Sequence, residues 1–206
     1  MSPHDVELKS KYKIMKIISI LASGTGTNAE NIIKYFSNDK KVKVTLVLSN
    51  RSKAEVLARA AALGVDTFFF DRSQFYESGD VLTLLKKRGT DLLVLAGFLW
   101  LIPENIIEAY RGRIINIHPA LLPRFGGSGM YGERVHRAVL DAGCTESGIT
   151  IHHVNEQYDA GNIIFQARCP VLPGDDVHSL ASRVHALEYK HYPPVIKQIL
   201  EETPDQ

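Results

Sequence analysis

The chain has 206 residues, 45% of them hydrophobic and 23% charged, enough to bury one sizeable core. Lys and Arg number 24 against 23 Asp and Glu, a net charge of +1, which excludes the strong basic surplus of a nucleic-acid binder. The longest apolar runs, such as Leu92–Ala96, are far too short to span a bilayer.

The opening stretch MSPHDVELKSKYK is polar and charged, without the apolar region of a secretion signal. It reads as a disordered tail over 1–13, ahead of a single domain over 14–206. Met15–Ala22 is then a buried strand, followed by a glycine turn and a helix from Asn28 to Phe36. Val42–Leu48 is a second strand, and the alanine-rich period of Lys53–Leu63 is a helix ending at Gly64. Thr67–Phe70 is a short strand, Val81–Arg88 a helix, and Asp91–Ala96 a strand apolar on both faces. Pro103 opens a helix at its first turn, and Arg113–Ile117 is a fifth strand. After a glycine-rich stretch come a helix over Arg134–Ala142, two β-rich runs (Gly148–Val154 and Asn162–Val171) and an amphipathic helix from Asp176. This alternation predicts an α/β fold: an open, mostly parallel, Rossmann-like sheet with helices on both faces and antiparallel strands in the C-terminal third. Cys144 and Cys169 have no metal-like spacing and suit a reducing, cytoplasmic setting.

Three features bear on chemistry. The turn ASGTGTNAEN over Ala22–Asn31 places Gly26, Thr27 and Asn28 at a helix start, where backbone N–H groups and the helix dipole favour an anion. It is neither the dinucleotide fingerprint, since Gly24-x-Gly26 leads to Ala29, nor a P-loop, since it lacks the lysine. One phosphate fits it better than a pyrophosphate, and a plain capped turn is the alternative. In RIINIHPALLPR, Asn116 and His118 share one face of the fifth strand, on the order of 7 Å apart. Polar residues there mark its carboxyl edge, where open α/β sheets bind ligands. An Asn N–H can stabilise an oxyanion and a His can move a proton, with no metal required. Asp159, before Ala160–Gly161, is a candidate acid partner that would raise the pKa of His118; ordinary turn chemistry also accounts for it.

Four segments then carry a resemblance. SGTGTN, LAGFLWLIP, NIHPALLPRF and GITIHHVNEQYDAGNII, in this order from Met15 to Leu200, resemble the phosphoribosylglycinamide formyltransferase family. NIHPxLLP is shared with other folate-dependent formyl-group enzymes; the glycine turn and the C-terminal helix narrow the likeness. The resemblance implies 10-formyltetrahydrofolate as co-substrate and transfer of its formyl group to glycinamide ribonucleotide, a step of purine biosynthesis. It implies Asn116, His118 and Asp159 as the catalytic trio and Gly26, Thr27 and Asn28 as the phosphate site. Folate would lie against Leu99, Trp100, Leu101 and Ile102 and the loop containing Val154, Asn155 and Glu156. Glu188 matches the family acid that contacts the ribonucleotide; it also continues the apolar stripe Val177, Leu180, Ala181, Val184. Trp100 stands where many members carry Arg, Ala160 replaces a frequent Gly, and the Gly126–Gly132 loop is longer than in some members. A lid role for that loop is a hypothesis. His136 and His152 are candidates to line the site, and each reads as nearer to structural than catalytic.

The partners expected are therefore two small molecules, with no nucleic acid, no membrane, and a monomer or homodimer as the assembly. The nearest alternative is a hydrolase releasing formate from the same folate, and the phosphate turn counts against it. Transfer to methionyl-tRNA would call for a nucleic-acid module and a basic face, neither of which is visible. A non-catalytic nucleotide-binding module would leave Asn116, His118 and Asp159 dispensable.

Overall fold

A computed structural model describes residues 15–202, so the tail expected at 1–13 lies outside the described residues. The elements run β1 (Lys16–Leu21), α1 (Thr27–Phe36), β2 (Val42–Ser49), α2 (Glu55–Ala62), β3 (Asp66–Phe69), α3 (Arg72–Tyr76) and α4 (Asp80–Lys87). They continue with β4 (Leu92–Leu95), α5 (Glu104–Ala109), β5 (Ile114–His118), α6 (Glu133–Asp141), β6 (Glu146–His153), β7 (Ile163–Pro170) and α7 (Val177–Glu202). Each expected strand and helix is present, with ends close to those read from the sequence. Pro103 sits one residue before α5 as its cap rather than inside the first turn. Helix α3 was not expected. A capping box builds it: the Asp71 side chain accepts from Gln74 N–H, and the Gln74 side chain accepts from Asp71 N–H.

The strands form one seven-stranded sheet in the order β3-β2-β1-β4-β5-β6-β7. Strands β1 to β5 pair in parallel, and β6 and β7 add on antiparallel. This is the predicted α/β, Rossmann-like arrangement. The chain proceeds outward from β1 to β3 and then returns to lay β4 on the other side of β1. The gap between β1 and β4 is thus the topological switch point, where ligands bind at the carboxyl ends of the strands.

The sheet separates two apolar layers. Ile18, Ile20, Val94 and Ile115 point to one side, where α1, α2, α6 and α7 supply Ile32, Val56, Val139 and Val184. Leu21, Leu93, Leu95 and Ile114 point to the other, against Phe75, Leu85 and Ile106 of α3, α4 and α5. Strand β2 changes sides partway. Its pairing to β1 skips Thr45, so Val44 faces the first layer and Leu46 the second. The extra residue is a bulge, and it reverses the alternation of VKVTLVL.

Candidate active site

The glycine turn is built as the sequence suggests. Gly26 precedes α1 with φ 78° and ψ 22°, a left-handed conformation suited to glycine, and no side chain caps the helix. A Cβ at Gly26 would also overlap the Val56 side chain and lie 2.7 Å from Val56 Cα. Glycine is required twice over, by backbone conformation and by the approach of α2. The uncapped first turn leaves helix N–H donors for an anion. Asn28 is held by donating from Nδ2 to Glu188 Oε2 at 2.8 Å. That bond joins the start of α1 to the middle of α7.

Register assembles the second half of the site. Leu21 lies beside Leu95, Leu95 beside Asn116, and Asn116 beside His152, on β1, β4, β5 and β6. Asn116 Nδ2 donates to His152 Nε2 at 3.2 Å and to Asp159 Oδ1 at 3.4 Å. His152 Nδ1 donates to the His153 carbonyl at 2.8 Å, which leaves Nε2 free to accept. Asp159 Oδ2 accepts the Gly127 N–H at 2.9 Å and faces His118 Nδ1 at 3.4 Å. His118 Nε2 donates to the Phe125 carbonyl at 2.8 Å. The predicted trio is therefore brought together, and the end of the Gly126–Gly132 loop is tied onto it. His152, named in the sequence as able to line the site, belongs to the same network and lines the cavity. Phe125 and Asp159 both have positive φ, 60° and 53°, although neither is glycine. Such backbone strain persists where surrounding structure over-determines it, as at functional sites.

Both ring nitrogens of His118 face acceptors, an arrangement that only the imidazolium satisfies fully. Burial is nonetheless the largest influence on His118; it outweighs Asp159 and the Phe125 carbonyl, which raise the pKa, and the net direction is down. The expectation that Asp159 would raise it is thus corrected: the carboxylate does pull upward, but burial wins. For Asp159, burial pulls upward; His152, His118 and the Gly127 N–H together overcome it, and the carboxyl stays below its ordinary range. Glu188 goes the other way: burial raises its pKa against the Asn28 hydrogen bond and His185.

A cavity of about 560 Å³ is lined by Gly26, Thr27, Asn28, Asn116, His118, Asp159 and Glu188. Leu99, Trp100, Leu101, Ile102, Val154 and Asn155 line it too. Glu156 does not; it pairs with Arg111 at 3.3 Å on the surface. The Trp100 ring packs near Phe75 and Tyr76, each at 5.9 Å between centroids, and the Arg72 guanidinium lies 5.6 Å from its centre. Of two other lining groups, Ser23 had no signal in the sequence, whereas His136 was named there as able to line the site. Ser23, buried, accepts the Leu99 N–H at 3.1 Å and so links the glycine turn to the segment after β4. His136 lines the cavity from α6.

A glycine turn with open helix N–H donors and a half-buried Asn–His–Asp network facing one cavity at a switch point define an α/β group-transfer enzyme. A family model described as formyl transferase matches residues 15–196, and the chain belongs to that family. A chloroplastic phosphoribosylglycinamide formyltransferase from Arabidopsis thaliana is 38% identical over 91% of the chain, which spans 66% of that relative's length. The phosphoribosylglycinamide formyltransferase of Haemophilus influenzae is 36% identical over 91% of this chain and 88% of its own. The crystal structure of phosphoribosylglycinamide formyltransferase from Anaplasma phagocytophilum superposes with a TM-score of 0.84 at 37% identity, covering 91% of this chain and 87% of that one.

Proposed function

We propose that this enzyme transfers the formyl group of 10-formyltetrahydrofolate to the amine of glycinamide ribonucleotide, giving formylglycinamide ribonucleotide for purine biosynthesis. The observation that carries this reading is one cavity faced both by the Gly26–Asn28 cradle and by Asn116, His118 and Asp159. The relatives carry the transferase name and give the hydrolase no support.

In this reading the N–H groups of Gly26, Thr27 and Asn28 hold the substrate phosphate, and Glu188 contacts the ribonucleotide beyond it. The folate is a co-substrate, lying against the apolar wall of Leu99–Ile102 and Val154. That wall and the polar trio opposite suit a flat heteroaromatic donor whose reacting carbon faces the trio. The uncharged amine attacks the formyl carbon; the new C–N bond forms, the bond to N10 breaks, and one proton passes from amine to N10. Asn116 donates an N–H to the developing oxyanion. Its bond to Asp159 at 3.4 Å is long, so exchanging it for the substrate oxygen costs little. His118 assists as its imidazolium, held by Asp159. Burial disfavours that charge until negative charge develops beside it, which concentrates the stabilisation in the transition state. Orientation of two bound substrates supplies the larger share of the acceleration.

Residues 14–206 would work as one domain, as a monomer or homodimer, on small molecules alone. Both described cysteines are free, which suits a cytoplasmic setting. The deciding assay follows deformylated folate by absorbance, with the ribonucleotide present or omitted. Turnover that depends on the ribonucleotide supports the transferase. Formate release without it would replace this reading with the hydrolase, and silence in both would return the binding module.

A further inference from the structure

We infer that His136 positions the acceptor substrate, its ring Nδ1 accepting a hydrogen bond from an N–H or O–H of the bound ribonucleotide. The inference rests on the function proposed above and adds a residue that the sequence reading treated as structural.

His136 sits on α6, is 2% exposed, and lines the cavity. Its Nδ1 is buried and has no hydrogen-bond partner among the described residues. Folded proteins pair nearly all such atoms, because a buried polar atom left alone is costly. His136 lines the cavity and its Nδ1 is unpaired, and a cavity occupant that reaches and donates to Nδ1 accounts for both. Asn28 Oδ1 is a second buried atom without a partner among the described residues, and Asn28 lines the same cavity. With the Glu188 carboxyl beside Asn28, this wall presents acceptors. The matching ligand surface is rich in donors.

The order of these groups suggests which donors. Glu188 and His185 are three residues apart on α7 and so share a face. The His185 ring lies 6.3 Å from the His136 ring, edge to face at 84°. His136 is in turn close enough to His118 to feel its charge. The wall therefore runs Asn28, Glu188, His185, His136, His118. The substrate runs phosphate, sugar hydroxyls, amide N–H, amine. Laid along one another, they bring His136 to the stretch between sugar and amine. Burial, with His185 and His118 adding to it, lowers the His136 pKa to about 4, so the ring stays neutral near neutrality and keeps a lone pair.

The test compares three variants by steady-state kinetics, with each substrate varied in turn. His136→Leu removes the acceptor, His136→Asn keeps an oxygen near the Nδ1 position, and His136→Gln places its polar end farther out. The expected result is a ribonucleotide KM about tenfold higher in His136→Leu and His136→Gln, largely recovered in His136→Asn, with the folate KM unchanged. If His136→Leu does not fold, the Asn and Gln pair still decides the matter. A wild-type ribonucleotide KM in the Leu and Gln variants would overturn the inference alone. So would parallel rises in both KM values whichever side chain is introduced, which marks a packing role. Absence of ribonucleotide-dependent turnover in the wild-type enzyme would instead defeat the proposed function, and this inference with it.

Discussion

Gly26→Ala and Gly79→Ala make a matched pair. Both glycines precede a helix in left-handed backbone, with φ and ψ of 78° and 22° at Gly26 and 75° and 13° at Gly79. A Cβ in that conformation costs about 1–2 kcal/mol at either position. At Gly79 the added methyl meets nothing within 4 Å. At Gly26 it overlaps the Val56 side chain and comes within 2.7 Å of Val56 Cα, and rotating the side chain cannot relieve the second clash. Val56 is fully buried, and its N–H donates to the Gly24 carbonyl at 3.2 Å, so its backbone is pinned. Overpacking of this kind adds about 1–3 kcal/mol. Gly79→Ala should therefore cost about 1–2 kcal/mol and Gly26→Ala about 2–5. For a chain of this size that is a Tm fall of roughly 4 °C against roughly 10 °C. Urea unfolding followed by circular dichroism measures the difference directly. The ribonucleotide KM should rise in Gly26→Ala only, and Val56→Ala in the same chain should recover part of the stability. Two alanine variants agreeing within about 0.5 kcal/mol would refute the steric argument.

Asp159→Asn keeps the shape of the side chain but removes the charge facing His118, and kcat should fall by roughly 10²–10³ in steady-state assays. Asn116→Ala and His118→Ala should lose kcat on the same scale, about 3 kcal/mol; near-normal kcat at saturation in both would remove them from the mechanism. His136 titrates at about 4 when folded against 6.5 for the free side chain, so between these values the unfolded chain binds the extra proton. Its contribution is complete above the upper value and lost as pH falls through the window, by up to about 3 kcal/mol. Chemical denaturation at pH 7 and pH 5 should show a smaller acid loss in His136→Asn than in wild type. Tyr192, fully buried, donates to the Leu95 carbonyl at 2.9 Å, and Tyr192→Phe should cost about 1–2 kcal/mol in urea unfolding.

The parallel sheet was legible because short apolar runs alternate with helical periods, and because RIINIHP breaks an apolar run with Asn and His at a strand end. The pairing of His152 with Asn116 was not. His152 neighbours His153 in GITIHHV, and only antiparallel pairing with β5, 36 residues away, sets it beside Asn116. Helix α3 spans five residues, too few to show a helical period, although its capping box was present in DRSQ. The lowered pKa of His118 depends on how much of the fold closes over it, a sum that no local pattern contains. Glu156 and Asn155 are adjacent in sequence, yet only the path of the loop decides which of them lines the cavity.

The left-handed backbone at Phe125 and Asp159 sets stability against activity within this fold. Glycine would relax both residues, but at 159 it would also delete the carboxylate that His118 faces. At 125 it would loosen the carbonyl that holds the His118 ring in place. A search for more heat-resistant versions of this enzyme would therefore be drawn to these two positions, and at Asp159 the gain in resilience would come with loss of the carboxylate that faces His118.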